Sequence, residues 1–172
     1  MDMKAYLIDD RFWKNKMEVV RTKMIPYQWK ALNDLVEDAA PSHCVKNFRI
    51  AAGMEKGDFQ GCVFQDSDLA KWLEAVGYTL AWKKDRELEQ MADEVIAVIE
   101  KAQQPDGYLD TYYIINGLEK RWTNLRDNHE LYCAGHMMEA AAAYYEVTGK
   151  DRLLHVMERM AEHIGKRLEQ RR

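Results

Sequence analysis

Residues that break helices are scarce in this sequence, which has only 3 prolines and 9 glycines among its 172 residues. That scarcity favours long helices over many short strands. The 3 cysteines are an odd number at wide spacing, so they do not indicate a disulfide framework. No apolar run approaches the roughly 18 residues that a membrane-spanning helix needs. The sequence therefore predicts a helical chain that neither crosses a membrane nor depends on disulfides.

A basic surface is also missing. The net charge is -4, and no stripe of lysine and arginine is interleaved with aromatic residues, so nucleic-acid binding has little support. The start of the chain carries charges at Asp2, Lys4, Asp9, Asp10 and Arg11, and it contains no apolar signal core. We therefore predict a cytoplasmic protein with no nucleic-acid partner and no membrane partner.

Apolar and charged residues are plentiful, at 47% and 31% of the chain. This composition supplies both a packed core and a soluble surface, and it excludes a disordered chain. The length suits one ordinary domain or a piece of a larger one. We predict a single domain over residues 1–172.

The first part of the chain predicts two helices and a long connection. Asp9 and Asp10 can cap a first helix that runs toward Ile25, where Pro26 should end or kink it. A second helical stretch follows. The segment 41–61 combines glycines with mixed polarity, so we predict an irregular connection that holds about one helical turn.

The later part predicts two helical hairpins joined by a polar and aromatic connection. Apolar residues there recur at helical spacing and are interrupted by turn residues. The predicted order is a helix from about Asp66 to Leu80, a break at Lys83–Asp85, a helix to Ala102, a connection over 108–127, a helix over 128–148 and a last helix from Asp151 through Leu168. Asp66 or Ser67 is expected to cap the first helix, and Gly149 to close the third. The tryptophans predicted to lie in the core are Trp13, Trp29, Trp72 and Trp82.

The two hairpins resemble each other. Glu74 aligns with Glu139 and Asp85 with Asp151, an offset of about 65 residues. A hairpin that recurs after a long connection is typical of an α/α toroid or solenoid, in which each hairpin buries its apolar face against its neighbours. We therefore predict an all-α fold whose helical hairpins form part of an α/α toroid.

Several motifs, taken together, resemble one known family. They are Tyr27-Gln28-Trp29, Asn47-Phe48-Arg49, Asp66-Ser67-Asp68 with Lys71-Trp72-Leu73, Gln104-Pro105-Asp106-Gly107-Tyr108, Arg121-Trp122-Thr123-Asn124 and His129-Glu130-Leu131-Tyr132-Cys133-Ala134-Gly135-His136. In this order and at these distances they resemble the N-terminal third of glycoside hydrolase family 127, which contains bacterial β-L-arabinofuranosidases. The resemblance covers nearly the whole chain.

The resemblance implies an (α/α)6 catalytic barrel and a retaining mechanism. It also implies a cysteine nucleophile, a glutamate acid/base and a zinc ion held by glutamate and cysteine. Those groups lie downstream in the family, so none of them is assigned to Cys44, Cys62 or Cys133. We predict no catalytic residue, no metal ligand and no cofactor in this chain, and we expect zinc in a full-length family enzyme.

The segment that begins at His129 and Glu130 is the first candidate for substrate binding. It opens a predicted helix, and the resemblance implies that a histidine of this motif contacts a sugar hydroxyl. The alternative is that both residues only cap the helix or pair locally. His129, Cys133 and His136 also share one helix face, as three zinc ligands could. Because apolar residues continue that face, we interpret Cys133 and His136 as core-facing.

Gln28, Asp68 and Tyr108 complete the predicted substrate-binding set. Gln28 could hydrogen-bond a sugar hydroxyl or satisfy the helix end after Pro26. Asp66 and Asp68 could form a carboxylate pair of the glycosidase kind, but capping of the next helix is favoured for them. The aromatic residues of the connection could stack on a sugar or pack it against the barrel, and packing is favoured for most: Tyr108, Tyr112, Tyr113 and Trp122.

The leading hypothesis is the N-terminal portion of a glycoside hydrolase that acts on L-arabinofuranosyl or related glycosides. Such a portion would form part of the sugar-binding cleft and would be inactive alone. The alternative is a non-catalytic helical interaction domain, or a truncated product, that forms a homodimer through apolar helix faces exposed at the open toroid edge. A third hypothesis, an intact small hydrolase using Asp66 and Asp68, finds no acid–base pair in the sequence.

Overall fold

The computed structural model describes residues 8–169, and these are helical with no strand among them. The helices are α1 (Arg11–Val19), α2 (Ile25–Leu32), α3 (Cys44–Ala51), α4 (Asp66–Trp82), α5 (Arg86–Ala102), α6 (Thr111–Asn116), α7 (Glu130–Thr148) and α8 (Arg152–Glu169). A π-helical segment, Val20–Met24, joins α1 to α2, and a short 3-10 turn, Leu118–Lys120, follows α6. The charges predicted at Asp2 and Lys4, and the chain end at 170–172, lie outside the described residues.

Two helical hairpins, α4–α5 and α7–α8, form two layers. Helix α4 packs along α7, and α5 packs along α8. The helices of one layer run in the same direction, because Lys71 lies beside Tyr132 while Gly77, further along α4, lies against Ala143. The latter pair reproduces the offset of about 65 residues between the repeats. The predicted recurrence of a helical hairpin is therefore confirmed.

A glycine sets the closest contact between the two hairpins. A Cβ atom built on Gly77 would lie 3.1 Å from the carbonyl carbon of Ala143. Real Cβ atoms seldom approach a backbone atom so closely, so the backbones of α4 and α7 touch where the side chain is absent. This contact fixes the spacing of the two helices that carry most of the candidate site.

The first helix does not end at Pro26, which was one of the two predicted outcomes, the other being a kink. Instead the chain stays helical from α1 into α2, and the π-helical segment lies directly before the proline. The N–H of Ile25 bonds to the carbonyl of Val20 within that segment. Proline lacks an N–H and crowds the carbonyl of the preceding turn, and a wider π turn relieves that crowding.

Helix starts and ends were predicted with mixed success. Asp10 accepts a hydrogen bond from Trp13 N–H as an N-cap, and Gly149 closes α7 in the left-handed conformation. Helix α3 is longer than the single turn predicted for its segment. The predicted cap at Asp66 or Ser67 is wrong, since both residues are buried in the first turn of α4 and Gln65 precedes them.

One tryptophan of α4, Trp72, joins α2 to the hairpins. Trp72 is buried, its indole N–H donates to the carbonyl oxygen of Ile25 at 3.1 Å, and its ring lies 4.4 Å from that of Trp29. Trp82 is partly buried, whereas Trp13 is 56% exposed, so the core prediction for Trp13 is wrong. Among the described residues, no helix is both long enough and apolar enough to cross a membrane.

Candidate functional site

A cleft opens where α2 meets the first turns of α4. Its volume is about 310 Å³, and its lining residues are Gln28, Ala31, Leu32, Ser42, Asp68, Lys71 and Trp72. Gln28 is exposed on α2, and Asp68 is partly buried in the first turn of α4. Asp68 accepts a hydrogen bond from the side chain of Gln65 at 2.8 Å, and burial raises the pKa of its carboxyl. The structure thus brings together two residues predicted to bind substrate.

Lys71 connects this cleft to α7, and the sequence interpretation missed it as a site residue. Its ammonium group donates to the hydroxyl of Tyr132 at 2.9 Å and to that of Ser67 at 3.1 Å. The same nitrogen lies 5.1 Å from the centre of the Tyr132 ring, within the range of a cation–π contact. A signal was present, since Lys71 follows Asp68 by one helical turn and both belong to the same family motif.

His129 lies on α7's side of the same surface. It precedes the helix in the left-handed conformation, with φ of 57°, and its side chain does not cap α7. Its Nδ1 atom lies 2.7 Å from the carbonyl oxygen of Asp127. That carbonyl can only accept, so Nδ1 carries a proton, and in the neutral ring Nε2 is left as an acceptor. The ring contacts those of Phe64 and Tyr132, with centres 5.2 and 5.7 Å away.

Gln28, Asp68, Lys71, His129 and Tyr132 therefore follow one another across neighbouring elements, and we call this group the α4–α7 surface. It offers an amide, a carboxylate, an ammonium group, an imidazole and an aromatic ring. Sugar hydroxyl groups both donate and accept hydrogen bonds, and the apolar face of a sugar ring packs on aromatic side chains. The chemistry of this surface suits a small polyhydroxy ligand.

Glu130 and Tyr108, the other two predicted substrate-binding residues, lie behind that surface. Both are 0% exposed, and the hydroxyl of Tyr108 donates to Glu130 at 2.6 Å. The backbone N–H of Trp122 donates to both carboxylate oxygens of Glu130, at 3.0 and 2.8 Å. Burial raises the pKa of Tyr108 above its ordinary value, so the phenol keeps its proton. Glu130 and Tyr108 thus make the contacts of the alternative interpretation, which was local pairing for Glu130 and packing for Tyr108 in place of sugar binding.

A second buried carboxylate cluster ties α4 to α6. Asp66 accepts from both the N–H and the hydroxyl of Thr111, and Asp110 caps α6 through the N–H of Tyr113. The second oxygen of Asp110 is buried without a hydrogen-bond partner. Burial raises the pKa of Asp66 to about 6, and burial together with the nearby Asp66 charge raises that of Asp110 well above its usual range. Both groups are too deeply buried to reach a sugar.

The zinc ion implied by the resemblance requires glutamate and cysteine ligands, and the described residues do not bring such a set together. Burial raises the pKa of the Cys44 and Cys133 thiols, which opposes the thiolate form that binds zinc. Cys62 is exposed. Among residues 8–169, the donors close enough to share an ion are Glu74, His136 and Glu139, without a cysteine. No step of a reaction is therefore assigned to a metal held by this chain.

Comparison with known proteins identifies the chain's relatives. Residues 7–171 match the family model described as Beta-L-arabinofuranosidase, GH127 catalytic domain. The chain is 40% identical over 171 residues to the non-reducing end beta-L-arabinofuranosidase of Bifidobacterium longum subsp. longum, which covers 90% of this chain and 26% of that protein.

Two solved structures of the same family are similar to this chain. A GH127 β-L-arabinofuranosidase from Geobacillus stearothermophilus T6 is 61% identical with a TM-score of 0.92, over 93% of this chain and 25% of that one. A second GH127 β-arabinofuranosidase is 28% identical with a TM-score of 0.81, over 94% of this chain and 26% of that one. The chain thus spans about a quarter of the length of these relatives.

These matches define the class of protein first: the described residues are helical, and their hairpins form part of an (α/α)6 toroid. Within that class, the chain belongs to glycoside hydrolase family 127. The family resemblance and the fold class predicted from the ordered motifs are both confirmed.

Proposed function

We propose that this chain forms part of the sugar-binding cleft of a glycoside hydrolase that acts on β-L-arabinofuranosides or related glycosides. The observation that carries this proposal is the α4–α7 surface, which gathers hydrogen-bonding side chains from α2, α4 and the start of α7 beside an aromatic ring. The relatives named above are β-L-arabinofuranosidases, which supports an L-arabinofuranosyl ring as the ligand.

Within this proposal, each side chain has a distinct task. Gln28 can donate and accept at a sugar hydroxyl, and Asp68 can accept from one. His129 offers Nε2 as an acceptor, because its Nδ1 is directed at Asp127. We assign the chain no nucleophile and no general acid, and we propose that it binds the sugar without cleaving it alone.

Sugar binding by this chain is the first prediction. Addition of methyl β-L-arabinofuranoside should shift the His129 and Gln28 side-chain resonances in NMR spectra. His129→Ala should weaken binding several-fold to about tenfold, since a hydrogen bond contributes about 0.5–1.5 kcal/mol. The matched control is His155→Ala, because His155 is an exposed imidazole on α8.

The same samples should release no chromophore from a chromogenic β-L-arabinofuranoside, even with zinc and reductant. Turnover by the chain alone would contradict the assignment of binding without cleavage. Absence of any sugar-dependent shift at His129 would contradict the binding role itself.

A second candidate function, self-association, follows from apolar side chains left uncovered. The large exposed ones on α4 and α7 are Tyr78, Leu131, Tyr132 and Tyr145. A contiguous apolar patch usually marks an interaction site, and we propose that these side chains contribute to one. If a second copy covers these helices, sedimentation should give twice the 20.2 kDa chain mass.

Under this second proposal, Tyr78→Ser with Tyr145→Ser should restore the monomer. The matched change Met54→Ser, at an exposed position outside α4 and α7, should leave the dimer intact. A monomer at every protein concentration would remove this candidate.

A further inference from the structure

The buried carboxylate of Glu130 holds the backbone of an irregular segment. Trp122, the residue it binds, has a positive φ of 63° and lies in the connection before α7. The Trp122 N–H donates to both oxygens of Glu130, and the Tyr108 hydroxyl donates to Oε1, which supplies three of the carboxylate's contacts. Both carboxylate oxygens accept from the backbone of Trp122, so Glu130 attaches this segment to the first turn of α7.

The far end of that segment is His129, the residue directly before Glu130. A non-glycine residue in the left-handed conformation persists only when its surroundings hold it there. Here Asn128 is held by a hydrogen bond from its side chain to the Tyr113 hydroxyl at 2.6 Å. The carbonyl of His129 accepts from Cys133 N–H at 2.9 Å as the first bond of α7. His129 is thus fixed between two attached neighbours.

Helix α8 supports the same segment. The Trp122 indole N–H donates to Nε2 of His163 on α8 at 3.1 Å, and the two rings are stacked. The Arg121 guanidinium lies 5.1 Å from the centre of the Tyr108 ring. The connection is therefore braced against α8 on one side and against Glu130 on the other.

We propose that Glu130 is a positioning residue, which locks the segment 122–129 so that the His129 imidazole is presented on the α4–α7 surface. The proposal rests on the sugar-binding function above and assigns Glu130 a role without sugar contact. A carboxylate suits this task because it accepts at both oxygens. A glutamine would direct an amide NH2 at the Trp122 N–H, donor against donor.

The test compares Glu130→Gln and Tyr108→Phe with wild type. Side-chain NMR resonances of His129 report its place beside the Phe64 and Tyr132 rings. In Glu130→Gln these resonances should move toward those of an exposed histidine, and the Kd for methyl β-L-arabinofuranoside should rise about tenfold, in proportion to the fraction of molecules that lose the presented ring. Tyr108→Phe removes one of the three contacts and should give a smaller change in the same direction.

The matched control is Glu87→Gln, because Glu87 is an exposed carboxylate on α5. It should leave both the His129 resonances and the Kd unchanged. A merely structural role of Glu130 would lower the unfolding midpoint without moving the His129 resonances of the folded protein.

The proposal is overturned if the folded Glu130→Gln protein keeps the wild-type His129 resonances and Kd. If that variant does not fold, Tyr108→Phe decides by the same two readouts. The sugar-free spectra test positioning even if wild-type His129 never responds to sugar, and that lack of response would count against the sugar-binding function alone.

Discussion

Trp72→Ala is expected to lower the free energy of unfolding by about 3–5 kcal/mol, the cost of emptying a large buried site. The indole is 2% exposed, packs against Trp29 and donates to the backbone of Ile25. Its removal leaves a cavity and takes away one hydrogen bond to the Ile25 carbonyl at the joint between α2 and α4. Urea denaturation followed by circular dichroism measures the loss.

The control for this change is Trp13→Ala. Trp13 is also a tryptophan, but it is largely exposed, so its replacement should change the unfolding free energy by less than about 0.5 kcal/mol. Because α2 carries Gln28, we also expect Trp72→Ala to weaken sugar binding. Equal stability losses in the two variants would contradict the described packing of Trp72 against α2.

Asp110→Asn is expected to raise stability relative to wild type at pH 6 and to change it little at pH 4. Burial, reinforced by Asp66, raises the folded-state pKa of Asp110 well above its usual range. The folded protein therefore keeps a proton that the unfolded chain releases near pH 4. Stability from this group is fully present below about pH 4 and is lost as the pH rises toward the raised folded-state pKa, by at most about 1.4 kcal/mol per pH unit.

Asparagine keeps the oxygen that caps α6 and carries no charge toward Asp66, so the variant should lack this fall. The measurement is the difference in unfolding free energy between variant and wild type at pH 4, 5 and 6, since acids that do not interact with Asp110 contribute equally to both. Asp58→Asn, at an exposed position, is the control. Parallel pH profiles for Asp110→Asn and wild type would show that Asp110 ionises without cost.

The helices of the hairpins could be predicted because their signals are local. Apolar spacing and the turn residues around Gln104 and Gly149 depend only on near neighbours in the chain, and the repeat added the lateral pairing of α4 with α7. The family resemblance added Gln28, Asp68 and His129, which the fold brings to one surface.

Other assignments depend on partners distant in sequence and could not be read from spacing. Asp66 has the sequence position of a helix cap, yet its carboxylate is buried and accepts a hydrogen bond from Thr111, which is 45 residues away in the sequence. Glu130 reads as the polar neighbour of His129 until the backbone of Trp122 is known to bond to it. Trp13 occupies a helical position, but no described element covers it.

The π-helical segment Val20–Met24 makes the number of residues between α1 and α2 more important than the identity of their side chains. A π turn takes up one more residue than an α turn, so it rotates α1 against α2 by about 100° relative to an unbroken helix. Arg21, inside the segment, pairs with Asp85 at the far end of α4, while Gln28, beyond it, faces the cleft at the near end. The continuous helical stretch from α1 to α2 thus contacts both ends of α4, and the π turn sets the rotation between its two halves. Substitutions within the segment can keep that rotation. An inserted or deleted residue would instead rotate either Arg21 away from Asp85 or Gln28 away from the cleft.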